Sequence, residues 1–177
     1  MKKRVIIILT ILGLVGMIIV WGTMPLSLSK LGNRDSVSVT LSDNDKAIIS
    51  ARTKSQNVQE IIVQVIVFTA EKLTFAVHND IKNGKANCIG YAQLCAKACN
   101  YAFEINGMES KARPVVGSVL WFGINVCDIA YSLAPKKYKN FVKDHDFVEI
   151  DLRNCKTIYV DPCLYDLIGD DVMTLSK

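Results

Sequence analysis

The chain has 177 residues, of which 50% are hydrophobic, and this is enough apolar material for one domain but not for two. Removing the three basic residues that follow Met1 leaves 18 basic residues against 17 acidic ones, so the rest of the chain is almost neutral and has no electrostatic footprint for nucleic acid. Two histidines and six cysteines without a CxxC pair argue against a metal site, and nothing indicates an organic cofactor.

The N-terminus carries an uncharged apolar run at residues 5–21, directly after "KKR". As a helix it spans roughly 26 Å, and extension to residue 28 makes it long enough for a bilayer core. We predict a transmembrane signal anchor at residues 1–28, with a cytoplasmic N-terminus and the domain on the extracytoplasmic side. The alternative is a cleaved signal peptide and a secreted domain, but "WGTMPLS" offers no clean small-x-small cleavage site.

Residues 29–42 are polar and contain Gly and Ser, which predicts a linker, and residues 43–177 are left for the domain. From Asp43 to about Ala70 the apolar residues recur at spacings of three and four, which predicts helix with a break near residues 55–57. A short extended segment at residues 72–77 and a loop at residues 78–87 follow.

The segment "NCIGYAQLCAKAC" begins with Asn87, a good helix N-cap, and predicts a helix that ends before the Asn106-Gly107 turn. Cys95 and Cys99 lie on its apolar face, where cysteine is most often an inert core residue. Cys88 instead occupies the first turn. Unpaired amide N–H groups and the helix dipole favour a thiolate there.

The C-terminal half reads as strands around residues 112–124, 144–152 and 156–162, with an irregular, partly helical excursion at residues 125–143. The acidic tail after Tyr165 is predicted to be peripheral. A hairpin centred on Arg153 places His145 opposite Asp161, so that this carboxylate can hold the imidazole. The alternative for Asp161 is a turn residue before Pro162. The other histidine of the chain, His78, is predicted to be solvated.

Four short motifs, "NCIGYA", "ARPVVG", "HDFVEI" and "YVDPCLYD", occur in the order and rough separation of the transglutaminase-like superfamily of papain-type cysteine enzymes. The resemblance covers roughly residues 45–168. It implies an α+β fold in which a helix carrying the nucleophile packs on an antiparallel sheet, with Cys88, His145 and Asp161 as the catalytic triad. It also implies acyl transfer on a peptide or protein substrate.

The sequence departs from this family at three places. Ile89 follows the nucleophile where crosslinking members often have Trp, Phe147 stands for the Trp of His-x-Trp, and Cys163 stands for the Thr of Asp-Pro-Thr. These departures favour a thiol protease or amidase over protein crosslinking. Two other functions stay open: an inactive domain that binds a peptide or envelope partner, and a structural protein in which Cys88 is locked in a disulfide.

Overall fold

An antiparallel sheet organises the part of the chain that the computed structural model describes, residues 26–34, 39–55, 57–152, 156–169 and 173–175. The strand order is β1-β4-β6-β7-β8, and β5 pairs with the end of β4. A separate parallel pair is formed by β2 and β3. The strands are β1 (Leu26–Asn33), β2 (Thr74–Phe75), β3 (Lys85–Ala86), β4 (Lys111–Trp121), β5 (Ile124–Asn125), β6 (His145–Leu152), β7 (Lys156–Val160) and β8 (Met173–Leu175).

The helices confirm the predicted α+β class, and the break predicted near residues 55–57 separates the first two of them. They are α1 (Asp43–Arg52), α2 (Val58–Lys72), α3 (Cys88–Ile105), α4 (Val126–Leu133), α5 (Lys139–Val142) and α6 (Pro162–Ile168). Short 3₁₀ turns lie at Ile81–Asn83 and Lys136–Tyr138.

Helix α3 is the centre of the main hydrophobic core. It is apolar on nearly every side, as a helix enclosed by other elements must be. It packs on β4 and β6 of the sheet and on α1, α2 and α6. Cys95 and Cys99 are fully buried in it as free thiols. A hydrogen bond with Cys95, together with burial, raises the pKa of Cys99, so this thiol stays neutral.

Alternation along the strands divides the sheet into two apolar faces. Val148 and Ile150 point with Ile158 and Val160 into the main core beneath α3. Phe147 points to the other face, where it forms a smaller cluster with residues of β1 and β4. Odd-numbered and even-numbered residues of β6 therefore meet different surroundings.

The register predicted for the β6–β7 hairpin is wrong by two residues. Val148 pairs with Val160 and Ile150 with Ile158, whereas the prediction placed Val148 opposite Ile158. A shift by two keeps every side chain on its predicted face, because the side-chain period of a strand is two. The apolar pattern is satisfied equally by both registers, and for this reason it selected the face correctly and the partner wrongly.

The prediction of a linker at residues 29–42 is also wrong in part. Leu26–Asn33 form β1, an edge strand paired with β4 along most of its length. Lys30 reaches across β4 to the buried Glu149 at 2.6 Å, and this ion pair helps to hold β1 on the sheet. Leu41, at the other end of the predicted linker, is buried in the main core. The polar composition of this segment concealed a strand at the end of the sheet.

The C-terminal segment is likewise more than a peripheral tail. Helix α6 packs on α2 and α3, and β8 adds a strand beside β7. The predicted anchor lies outside the described residues as far as residue 25, and its last three residues belong to β1. Among the helices of the described ranges, none combines the length and the apolar character needed to cross a membrane.

We predict that Gly117→Ala destabilises the fold by about 2 kcal/mol, because the added methyl group has no space. A Cβ at this position would lie 2.1 Å from the carbonyl oxygen of Ser29 and 2.7 Å from the ring of Phe147. The measurement is the free energy of unfolding in urea.

The control is Gly32→Ala in the neighbouring strand, where the nearest atom is a methyl carbon of Val116 at 3.6 Å. This variant should stay within about 0.5 kcal/mol of the parent. Equal losses in the two variants would contradict the close packing of β1 and β6 against Gly117.

Candidate active site

Cys88 is the first residue of α3, and a network of asparagines fixes the start of this helix. The Asn87 side chain caps the helix by accepting from the Ile89 N–H at 3.1 Å, and the Asn87 N–H donates to Asn79 Oδ1 at 2.9 Å. Gly90 lets the loop approach, since a Cβ there would lie 2.5 Å from Asn79 Oδ1. The Cys88 N–H lies in the first turn of the helix, which supplies no intrahelical acceptor for it.

His145 is the first residue of β6, and its ring is held by Asp161. His145 Nε2 lies 2.5 Å from Asp161 Oδ2. The other oxygen, Oδ1, accepts from the N–H groups of Cys163 and Leu164 at 3.1 and 2.9 Å. Asp161 is therefore also the N-cap of α6, with Pro162 at the first helical position, where its missing N–H costs nothing.

The contact between His145 and Asp161 is present although the predicted register is wrong. The last hydrogen-bonded pair of the hairpin is Val148–Val160, so both site residues lie beyond the paired region. The two side chains meet just beyond the paired region, where Nε2 of the ring reaches Oδ2 of the carboxylate. The predicted alternative for Asp161, a turn before Pro162, is replaced by a helix start.

Cys88 and His145 interact through their side chains. Burial lowers the pKa of His145, but the charge and hydrogen bond of Asp161, together with the hydrogen bond and charge of Cys88, raise it well above its usual value. Because Nε2 is engaged by Asp161, Nδ1 is the ring nitrogen left for the thiol. The structure thus brings together the three residues that the sequence predicted for the site, while His78 is exposed in its loop, as predicted.

Arg34 and Asp146 are two residues near the thiol that the sequence analysis missed. Arg34 Nε and Nη2 donate to Asp146 Oδ1 and Oδ2 at 2.6 and 2.9 Å, a bidentate ion pair. Cys88 Sγ lies 4.0 Å from Asp146 Oδ2, with the thiol donating to the carboxylate. Arg34 follows β1 directly and lay in the predicted linker. The alternation of β6 could have revealed Asp146, because its even number places it on the same side of the strand as Val148.

The charges of Arg34 and Asp146 affect the stability of a thiolate at Cys88. Burial raises the pKa of Asp146 and the Arg34 hydrogen bond and charge lower it, leaving it somewhat above its usual value. The hydrogen bond to Asp146 raises the pKa of Arg34 despite partial burial. Asp146 is 1% exposed, so without Arg34 its negative charge would oppose a thiolate at Cys88.

Tyr91 links the two helices that carry the site. It lies one turn after Cys88 on α3, and its hydroxyl donates to Asp166 Oδ2 of α6 at 2.5 Å. Burial and the Asp166 carboxylate raise the pKa of Tyr91 far above its usual value, so it remains a neutral donor. Because Asp161 caps α6, this bond fixes the Asp161 carboxylate relative to α3, the helix that begins with Cys88.

Comparison with protein-family models, with curated proteins and with solved structures finds no match for this chain. The function must therefore be argued from the geometry of the site itself. Within the described ranges, no group of three or more His, Cys, Asp or Glu side chains is placed to hold a metal ion. The five described cysteines are free thiols, and Cys155 lies outside the described residues.

We predict that Arg34→Met destabilises the fold by about 2 kcal/mol, less than the loss from a fully buried pair because Arg34 keeps part of its side chain in solvent. Asp146, left without its partner, binds a proton more readily in the folded state than in the unfolded state. The loss should therefore be smallest at acidic pH and grow as the pH rises through the folded-state pKa of Asp146. Urea denaturation at a series of pH values measures it.

The matched control is the double variant Arg34→Met/Asp146→Asn, which removes both charges and should recover most of the loss at neutral pH. Alkylation of Cys88 should slow in the single variant and recover in the double one. A pH-independent loss that the double variant shares would show that Arg34 acts by packing alone.

Proposed function

We propose that this chain is a transglutaminase-like cysteine hydrolase or acyltransferase that acts on peptide or amide substrates. The observation that carries the proposal is the imidazole of His145, which Asp161 holds through Nε2 at 2.5 Å close enough to Cys88 for the thiol to raise the pKa of the ring. A nucleophile, a base and an orienting carboxylate in series are the requirements of nucleophilic catalysis by a thiol. The packing of α3 on an antiparallel sheet supports the family resemblance.

In the first half-reaction, His145 Nδ1 takes the proton of the Cys88 thiol, and the sulfur attacks the substrate carbonyl carbon. The carbonyl oxygen becomes an oxyanion, which the Cys88 N–H at the start of α3 stabilises. His145 then gives its proton to the leaving amine as the C–N bond breaks. Asp161 fixes the imidazole tautomer and stabilises its charged form throughout.

In the second half-reaction, a water gives a proton to His145 and attacks the thioester, releasing the acid and restoring Cys88. A substrate amine in place of the water gives transamidation. We favour hydrolysis, because Ile89 and Phe147 replace the tryptophans associated with crosslinking members. No step requires a metal or an organic cofactor.

The location follows from the N-terminal sequence. We propose that residues 1–28 direct the chain to a membrane, with the N-terminus cytoplasmic and the site on the extracytoplasmic side. Since β1 begins at Leu26, the part that crosses the bilayer ends before that residue. A secreted form after signal cleavage would keep β1, and with it Arg34, if cleavage fell before residue 26.

We predict that Cys88 reacts with limiting iodoacetamide much faster than Cys127. The two thiols form a matched pair, since each lies in the first turn of a helix and each is 8% exposed. They differ in that Cys88 lies near the imidazole of His145 and raises its pKa. Peptide mapping of labelled protein measures the ratio, with Cys155→Ser in the background.

His145→Ala should remove the difference between the two thiols. Equal labelling of Cys88 and Cys127 in the parent would favour the binding-module alternative over an enzyme. A disulfide at Cys88 in non-reducing mapping would favour the structural alternative.

We predict that Cys88→Ala abolishes amide hydrolysis while leaving the unfolding midpoint near that of the parent. Asp161→Asn should lower the rate by about 10²–10⁴-fold and move the alkaline limb of the pH–rate profile to lower pH. The direction follows because Asp161 raises the pKa of His145, so the imidazolium of the variant loses its proton earlier. The assay is release of amine from a panel of peptide amides between pH 5 and 10.

The reference variant for this assay is Cys127→Ala, which should keep the parental profile. An unshifted alkaline limb in Asp161→Asn would exclude the assigned role of Asp161. Full activity of Cys88→Ala would exclude the nucleophile.

A further inference from the structure

Five large apolar side chains are exposed at the β4–β5 turn and along α4, and we name them the apolar face. Phe122 is 56% exposed at the tip of the β4–β5 hairpin, and Leu133 is 79% exposed at the end of α4. Contiguous apolar patches on a protein surface commonly mark an interaction site. The members are Phe122, Ile124, Val126, Ile129 and Leu133.

Helix α4 presents its apolar side outward. Val126, Ile129 and Leu133 follow one another at spacings of three and four, so they share one side of the helix, and all three are exposed. The buried residue of α4 is Cys127, and the helix packs on β4. Asp128 and Ser132 are exposed as well, so α4 buries little of its surface, whereas a helix that stabilises only its own fold buries its apolar side.

Phe122 occupies a backbone conformation that suits it poorly. Phe122 and Gly123 link Trp121 to Ile124 with positive φ angles of 55° and 77°, as a two-residue type I′ turn requires. Asn-Gly is the favoured sequence for this turn, and a bulky residue at positive φ is an outlier. The fold thus accepts local strain to keep an aromatic ring in solvent, which points to a use for that ring.

The segment that carries the apolar face is rich in basic residues. Residues 121–143 contain four lysines, and Asp128 is the one acidic residue among them. Lys137 and Lys139 lie over the rings of Tyr138 and Tyr131, at 4.6 and 4.7 Å from the ring centroids. Exposed apolar side chains, tyrosines and lysines together are the composition of a surface that lies at the headgroup layer of an anionic bilayer.

The position of this face in the fold is independent support. Leu26, the first residue of β1, pairs with Trp121, so the chain enters the domain beside the apolar face. Four residues, 22–25, separate the apolar run at residues 5–21 from Leu26, and a fully extended link of four residues spans at most about 14 Å. If that run crosses a bilayer, this edge of the sheet is held close to the membrane surface.

We propose that the apolar face is a membrane-contact surface, which inserts its apolar side chains among anionic lipid headgroups while the neighbouring lysines bind their phosphates. Each lysine near such a surface contributes favourably, and the contribution is screened by salt. The proposal does not depend on the chemistry of Cys88, and each can fail while the other stands.

The test uses the full chain in vesicles of phosphatidylcholine and phosphatidylglycerol whose acyl chains carry bromine close to the headgroups. Trp21→Phe leaves Trp121 as the fluorescent reporter, because the chain has two tryptophans. The Trp121 ring lies 5.2 Å from that of Phe122, so contact of the tip with lipid brings bromine near the reporter. We expect strong quenching of Trp121, which weakens at high salt and without phosphatidylglycerol.

The control reporter is Ile105→Trp in a chain that carries Trp21→Phe and Trp121→Phe. Ile105 is 44% exposed at the end of α3, near the start of β4, where the Asn100 side chain bonds Ala112. The ten residue steps of β4 from Lys111 to Trp121 span about 34 Å, so this reporter should remain unquenched. Equal quenching of both reporters would overturn the proposal.

Phe122→Asn separates the membrane role from the fold, since asparagine suits the type I′ turn. We expect an unfolding midpoint equal to or above that of the parent, together with loss of most of the Trp121 quenching. Quenching that persists in Phe122→Asn overturns the proposal. So does an unquenched Trp121 in a chain that forms a dimer through this face, which would assign the face to a second copy of the chain.

Discussion

Both oxygens of the Asp161 carboxylate are engaged, and the arrangement of the site depends on how they are shared. Oδ2 holds the imidazole of His145, while Oδ1 caps α6. The end of β7, the start of α6 and the orientation of the ring are thereby fixed by one side chain. Tyr91 completes this network of contacts, because its hydroxyl hydrogen-bonds Asp166 of α6 from the helix that starts with Cys88. A shift of β7, α6 or α3 at any of these contacts would move the imidazole of His145 relative to the thiol of Cys88.

The edge strand β1 adds a second, electrostatic constraint. It delivers Arg34 to Asp146 through a bidentate pair, and Asp146 lies 4.0 Å from the sulfur of Cys88. A buried carboxylate beside a nucleophilic thiol disfavours the thiolate unless a cation neutralises it. Docking of β1 on the sheet is therefore coupled to the charge state of the Cys88 thiol, although β1 contributes none of the three proposed catalytic side chains.

The spacing of apolar residues and the helix-capping residues made much of this fold predictable. The register of the strands and the contacts between distant segments could not be predicted from the sequence. The spacing of apolar residues located α2 and α3, and Asn87 marked where α3 begins. Strand alternation placed His145 and Asp161 on one face, but it tolerates a shift by two, so the partner of Val148 was wrong. Arg34 was missed because a polar edge strand reads like a linker. Asp146 was missed because its importance arises from α3, which is far away in sequence.

The short connection between residue 21 and β1 also bears on how the site would meet its substrates. A domain joined to a bilayer by a long flexible chain samples many heights and orientations. One whose first strand is hydrogen-bonded into its sheet from Leu26 onward has little such freedom. Gly117, which pairs with His145, lies four residues before Trp121 on β4, so the site stands roughly 14 Å from the edge where the chain enters. If residues 5–21 cross a bilayer, as proposed, encounters with substrates at the same membrane become a search in two dimensions at a fixed height, and reach rather than affinity decides which bonds are presented to the thiol.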